Sequence, residues 1–192
     1  MSSLNHRLRP FVGALLLTGW LLPGVSYAAC DDPPAPGVNW SGCDRSGADL
    51  RGVDLSRATL KQAQLAGADL TRARLDDADL SYADLSGAQL DEARLGGADL
   101  LRVDLSGARL EGALLDRVHA DRARLRDIVA GASRWREASL YQADLTGATL
   151  SGADLRSADL KQALLREAQL DGATLDGARL VQADLEAVNA TG

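Results

Sequence analysis

The sequence has few large side chains. Aromatic residues make up only 4% of its 192 residues, and its single phenylalanine, Phe11, lies close to the N-terminus. A globular core normally takes much of its bulk from aromatic rings. The core of this protein must therefore be narrow, or it must be repeated many times along one axis.

Residues that carry out chemistry are equally scarce. The chain has two histidines and two cysteines, and it contains no HExxH motif, no paired-cysteine motif and no glycine-rich phosphate loop after a strand. His119 is the only histidine beyond the N-terminal region, and a lone histidine is more often an inert surface group than a ligand or a base. The sequence thus predicts no enzyme, no cofactor and no metal site.

Negative charge is in moderate excess. The formal net charge is −6, and it becomes −8 once residues 1–28, which hold two arginines and no acidic residue, are removed. Such a charge favours solubility and disfavours unspecific binding to nucleic acid.

The first 28 residues have the three parts of a secretory signal peptide. His6, Arg7 and Arg9 form a basic start, and the apolar run 11–22 is shorter than the ~20 residues that span a bilayer. Small residues at Ser26 and Ala28 fit a signal-peptidase site. We expect cleavage after Ala28, export to the periplasm or the medium, and no stable membrane span afterwards; an uncleaved anchor is the alternative.

Both cysteines, Cys30 and Cys43, lie beyond the predicted cleavage site. In an oxidising compartment, a pair of cysteines is first interpreted as a disulfide. This disulfide would tie the proline-rich segment 31–37 to the start of the folded rod. Two alternatives stay open, namely lipidation of Cys30, because residues 28–30 resemble the end of a lipobox, and metal binding by the two thiols.

A five-residue repeat occupies most of the remaining chain. The pattern A-x-L-x-x runs from Ala48 to Leu185 without an insertion or deletion, with leucine at 25 of its 28 central positions. In an α-helix, five residues turn the chain by about 500°, so the leucines would be spread around the cylinder. In an extended segment, residues two apart face the same side, so alanine and leucine both point inward. The period therefore predicts short β segments separated by corners, where recurrent glycines such as Gly52 and Gly107 allow positive φ.

The stretches "ADLSGAQL", "ADLTGATLSGADL" and "VNWSGCDRSGADLRGVDL" resemble the pentapeptide-repeat family, with its A-[DN]-L-x-x consensus. The resemblance implies an all-β fold, a right-handed quadrilateral parallel β-helix of about seven coils. It also implies a second possible function, since some members imitate the DNA duplex and bind DNA gyrase. Export and the arginines among the acidic residues count against that function here.

The repeat becomes irregular between residues 118 and 135. In two repeats the inward pair has the large residue first and the small residue at the centre, namely Val118 with Ala120 and Ile128 with Ala130. In a third repeat Trp135 takes the central position, and the small Ser133 lies two residues before it. Close packing favours internal compensation, in which Trp135 occupies space that Ala130 leaves empty. A kink or a binding spot with an exposed Trp135 is the alternative.

The outward positions of one side are mostly acidic. They include Asp84, Asp104, Asp144 and Asp184. Mixed charges that keep the rod soluble are the simpler interpretation, and a strip for docking another protein is the second.

The ends complete the prediction. Residues 29–46, with Trp40 and the cysteines, are expected to form an N-terminal cap on a β-helix of residues 47–192. Few residues come after Leu185, so the last coil would expose its edge. We therefore predict end-to-end homodimers through the C-terminal coil, and a non-enzymatic exported module that binds a protein partner of unknown identity.

Overall fold

A computed structural model describes residues 28–191. The predicted signal peptide, apart from Ala28, lies outside these residues. Within the described part of the chain, each side of the fold contributes one bridged residue rather than a longer strand. Parallel bridges join residues twenty apart without a break, from Asn39↔Thr59 to Gln169↔Asn189. One coil therefore takes twenty residues, or four repeats, as the five-residue period predicts.

Backbone hydrogen bonds to both neighbouring coils hold the coils in register. The N–H of Thr59 donates to the carbonyl of Val38 in the preceding coil over 2.8 Å, and the N–H of Leu60 donates to the carbonyl of Asp79 in the next coil over 2.7 Å. The same pairing recurs every five residues. Each coil thus satisfies the backbone of its neighbours, which makes the stability of the fold a sum over adjacent coils.

Each corner is a turn closed between successive repeats. In the first full coil, the N–H of Ala58 donates to the carbonyl of Leu55 over 3.0 Å, and Arg57, the third residue of the turn, has a φ of +58°. Positive φ at this position is the requirement of a type II turn. Eighteen non-glycine residues adopt it in the described chain, so the stacking forces the left-handed conformation even where no glycine is available.

The core is a single column of alanine and leucine. Leu55 to Leu165 and the intervening alanines are almost completely buried. Alanine and leucine are the two inward residues of most repeats, and each buried leucine contributes roughly 1.5–3 kcal/mol. Two indole rings, those of Trp40 and Trp135, interrupt this column, in agreement with the low aromatic content.

The repeat begins earlier than the sequence predicts. The first bridge involves Asn39, and Trp40 is buried at a central position. The five-residue phase therefore continues back from residue 47 to Gly37, whose N–H donates to the carbonyl of Ser56, whereas residues 29–35 precede the first coil. Trp40 and Arg45 conceal this phase in the sequence, because they occupy central positions where the consensus has leucine.

Candidate interaction surfaces

The N-terminal end of the rod is closed by a cap. Cys30 and Cys43 form a disulfide with their Cα atoms 5.4 Å apart. The N–H of Ala29 donates to the carbonyl of Asn39 over 3.2 Å, and the indole N–H of Trp40 donates to the carbonyl of Asp32, also over 3.2 Å. The segment before the first coil is therefore fastened to it by one covalent bond and by hydrogen bonds from both sides.

Arg45 completes this cap. It takes a central, inward position of the repeat, and its guanidinium carbon lies 4.3 Å from the centroid of the Trp40 ring. The same guanidinium donates to the carbonyls of Cys30 and Asp32. The guanidinium thus covers the Trp40 ring at the end of the core. It also donates hydrogen bonds to two carbonyls that lie before the first coil. Sequence reasoning missed Arg45, although its spacing of five residues from Trp40 and from Leu50 was the available signal.

The inward residues of the irregular stretch lie inside the rod. All six of its residues are buried: Val118, Ala120, Ile128, Ala130, Ser133 and Trp135. The indole N–H of Trp135 donates to Ser133 Oγ over 2.7 Å, and that hydroxyl donates to the carbonyl of Ala130 over 2.5 Å. The structure therefore brings Trp135, Ser133 and Ala130 together in the core, where Trp135 offers no exposed surface to a partner.

The four aspartates of the acidic side stabilise corners. Each carboxylate accepts the backbone N–H of the residue two positions later, over distances of 2.9–3.1 Å, in the pairs Asp84–Ser86, Asp104–Ser106, Asp144–Thr146 and Asp184–Glu186. An oxygen on each side chain is thus occupied by its own backbone, in the manner of an Asx turn.

Arginines also neutralise most of this side. Ion pairs join Asp104 to Arg124 at 2.9 Å, Asp144 to Arg126 at 2.7 Å and Asp184 to Arg166 at 2.6 Å. The hydrogen bond from the Arg166 guanidinium lowers the pKa of the Asp184 carboxyl. The four aspartates lie on one side of the rod, but they do not form a strip of free negative charge.

At some outward positions that lack an aspartate, a corner aspartate of the preceding coil replaces it. At position 109 the residue is Arg109, and Asp91 accepts the N–H of Glu111 over 2.9 Å while its other oxygen lies 3.2 Å from Nε of Arg109. Asp116 does the same for the N–H of Arg136 at 3.3 Å and for Arg134 at 2.6 Å. Carboxylates therefore stabilise corners from two different places in the repeat.

The C-terminal end of the rod is open. Among the described residues, the backbone N–H groups of Leu175, Leu180 and Leu185 meet no acceptor. Leu185 is 45% exposed and Val181 62% exposed. An apolar cross-section and an unpaired edge thus occur together at this end.

Chemistry is sparse on the described surface. His119 occupies an exposed outward position between Asp99 and Ser139 of the neighbouring coils. Over residues 28–191, no three histidine, cysteine, aspartate or glutamate side chains form a group that could hold a metal ion. The same part of the chain includes no helix long and apolar enough to cross a membrane.

These features define a parallel β-solenoid closed at one end. The pentapeptide repeats family model matches the chain in eight copies, over residues 37–65, 58–97, 83–119, 123–162 and 153–192. The chain therefore belongs to the pentapeptide repeat family, as its sequence pattern predicts. Members of this family fold as right-handed β-helices and generally serve as non-enzymatic structural or interaction modules.

Several solved structures of this family are similar to the chain. HetL, involved in heterocyst differentiation regulation in the cyanobacterium Nostoc sp. strain PCC 7120, is 30% identical over 80% of this chain and 83% of its own, with a TM-score of 0.29. QnrB1, a plasmid-mediated fluoroquinolone resistance protein, is 22% identical over 78% and 80%, with a TM-score of 0.42. A protein from the thylakoid lumen of Arabidopsis thaliana is 28% identical over 64% and 72%, with a TM-score of 0.20. None of the curated proteins matches the sequence.

Proposed function

We propose that this protein is an exported, non-enzymatic interaction module built on a rod of about seven four-sided coils. The difference between the two ends of the rod carries this proposal. The N-terminal end is closed by the disulfide and by Arg45, whereas the C-terminal end leaves Val181 and Leu185 exposed. An apolar surface beside unpaired backbone N–H groups, as the last described coil has, is suited to binding a protein.

Two features support export. Residues 1–28 have the composition of a signal peptide, and the disulfide joins the only two cysteines of the chain. Structural disulfides persist in oxidising compartments and are rare in the cytosol. A free N-terminus near Ala29 also suits the cap, since the N–H of Ala29 already bonds to Asn39.

The intact mass of the protein, measured in cell fractions before and after reduction and alkylation, tests export. We expect a species that begins at Ala29 in an envelope or extracellular fraction. Its two cysteines should be alkylated only after reduction. A mass increase at Cys30 equal to a lipid group would replace the disulfide with a lipid anchor. A full-length cytoplasmic species with free thiols would contradict the proposal.

We also propose that two copies associate through their C-terminal coils. The unpaired N–H groups and the exposed Leu185 of one copy would meet those of the other, in a two-fold contact that closes both edges. Sedimentation velocity tests this contact, and we expect Leu185→Asp to shift the protein to monomers. Leu164→Asp is the matched control, because Leu164 is 38% exposed on the flank of the rod. Equal effects of the two substitutions would refute the contact.

Imitation of DNA by the acidic rod is the rival function. The net negative charge favours it, but the ion pairs along the Asp104 side count against it because the duplex has no such neutralised phosphates. A DNA gyrase supercoiling assay with the purified protein distinguishes the two functions. Inhibition of gyrase, or its protection from a quinolone, at stoichiometric concentration would favour the rival.

A further inference from the structure

Most arginines of the rod form ion pairs with carboxylates of a neighbouring coil. Within residues 28–191, five arginines lack such a pair, and they are Arg45, Arg57, Arg102, Arg117 and Arg122. Arg45 bonds to carbonyls of the cap. The remaining four are exposed cations without an ion pair in a protein of net negative charge.

Two of these spare arginines occupy one corner in consecutive coils. Arg102 and Arg122 are twenty residues apart and have φ values of +53° and +57° at equivalent turn positions. Stacked coils are ~4.8 Å apart, so the two side chains leave the rod as close neighbours of like charge. Like charges on one corner repel each other, and the two side chains turn apart, Arg102 toward Tyr82 of the preceding coil and Arg122 toward Gln142 of the following coil.

The two arginines also line the same groove. It has a volume of about 410 Å³ and is bounded by Tyr82, Arg102, Arg122 and Arg124. Tyr82 is 49% exposed, and the guanidinium carbon of Arg102 lies 5.9 Å from the centroid of its ring. The groove therefore combines three guanidinium groups with one exposed aromatic face.

The acidic residues nearby are already engaged. Asp104 pairs with Arg124 at 2.9 Å. Asp121, next to Arg122 in the chain, accepts hydrogen bonds from the hydroxyl of Ser139 and from the N–H of Tyr141. Arg122 itself donates from Nε to the side-chain oxygen of Gln142 over 2.9 Å, which fixes its direction and leaves its terminal nitrogens for another acceptor.

We propose that this groove binds a ligand with two adjacent oxyanion groups, such as a diphosphate or a dicarboxylate. One oxyanion lies against each of Arg102 and Arg122, whose planar guanidinium groups can donate two parallel hydrogen bonds. The ring of Tyr82 provides a flat surface for the remainder of the ligand. Binding replaces the repulsion between the two arginines with attraction to a shared anion.

Isothermal titration calorimetry with inorganic pyrophosphate tests the site on the full-length protein. We expect saturable binding with one site per chain, at least tenfold weaker in Arg122→Gln and unchanged in Arg57→Gln. Arg57 is the matched control, since it is an exposed arginine with a φ of +58° that does not line the groove. The same titration with malonate shows whether carboxylates are accepted as well as phosphates; both outcomes for malonate support the site if pyrophosphate binds.

Thermal denaturation supplies a second measurement. The ligand-free Arg122→Gln variant should melt at the same temperature as the parent or higher, because repulsion is removed and glutamine can still donate to Gln142. Pyrophosphate should raise the melting temperature of the parent but not of this variant. Absence of binding at millimolar pyrophosphate, equal binding by Arg122→Gln, or equal loss in Arg57→Gln would overturn the proposal.

Discussion

The guanidinium of Arg45 lies 4.3 Å from the centroid of the Trp40 ring, at the N-terminal end of the solenoid. An arginine in an inward position would be unfavourable in the middle of the rod, where no water could reach it. At the end it stabilises the fold, because it covers an apolar ring and bonds to the carbonyls of Cys30 and Asp32. The N-terminal end of the solenoid is therefore covered by an arginine that stands at a central position of the repeat, where leucine is usual.

Removing this closure should weaken the protein. Arg45→Ala loses the contact with Trp40 and the bonds to two carbonyls, so we expect the free energy of unfolding to fall by about 2 kcal/mol. Chemical denaturation of the oxidised protein measures it. Arg51→Ala is the control, since Arg51 is exposed and pairs with the carboxylates of Asp49 and Asp69 at the surface of the rod. A loss in Arg51→Ala equal to that in Arg45→Ala would contradict the role given to Arg45.

The buried pair of Ser133 and Trp135 predicts a coupling. Ser133→Ala leaves the indole N–H of Trp135 without its acceptor inside the core, which should cost about 1–3 kcal/mol. In a Trp135→Phe background the same substitution should cost less, because phenylalanine has no N–H to satisfy. A double-mutant cycle by denaturant unfolding measures the difference. Equal costs in both backgrounds would show that the hydrogen bond does not stabilise the core.

Asp91 should stabilise its corner mainly as a hydrogen-bond acceptor. Asp91→Asn retains an oxygen for the N–H of Glu111 and gives up only the exposed ion pair with Arg109. Asp91→Ala loses both. We expect a loss of about 1 kcal/mol for alanine and less than half of that for asparagine. If asparagine were as destabilising as alanine, the ion pair rather than the backbone bond would be the important contact.

The five-residue phase predicts the twenty-residue coil and the inward positions well, because the period alone decides which residues share a side. It does not predict the closure by Arg45, since an arginine in place of leucine resembles the end of a repeat. It also does not predict that Asp91 and Asp116 replace missing outward aspartates. Those contacts join different coils, so they depend on side-chain directions that the one-dimensional pattern does not contain.

Acid should destabilise the rod through its aspartates. The hydrogen bond from the Arg51 side chain lowers the pKa of the Asp49 carboxyl to about 2, and Arg166 lowers the pKa of Asp184. In the unfolded chain an aspartate titrates near 3.9. Because the folded pKa is depressed, the stabilisation is present above pH ~4 and is lost as the pH falls toward 2.

Melting temperatures between pH 7 and pH 2 measure this loss. The parent should be nearly constant down to pH ~4 and should melt at progressively lower temperature below it. Asp49→Asn should show a smaller decrease over the same window, because position 49 no longer titrates. If the melting temperature of the parent rose between pH 4 and pH 2, the stabilisation by ionised aspartates would be contradicted.

The difference between the two ends is the central claim, and hydrogen exchange measured by mass spectrometry tests it most directly. In the oxidised protein at low concentration, peptides from residues 38–50 should exchange as slowly as the interior coils, whereas peptides from 175–191 should exchange rapidly. Reduction should accelerate exchange at residues 38–50 only. Equally fast exchange at both ends of the oxidised protein, or slow exchange at residues 175–191 under conditions where it is monomeric, would contradict the claim.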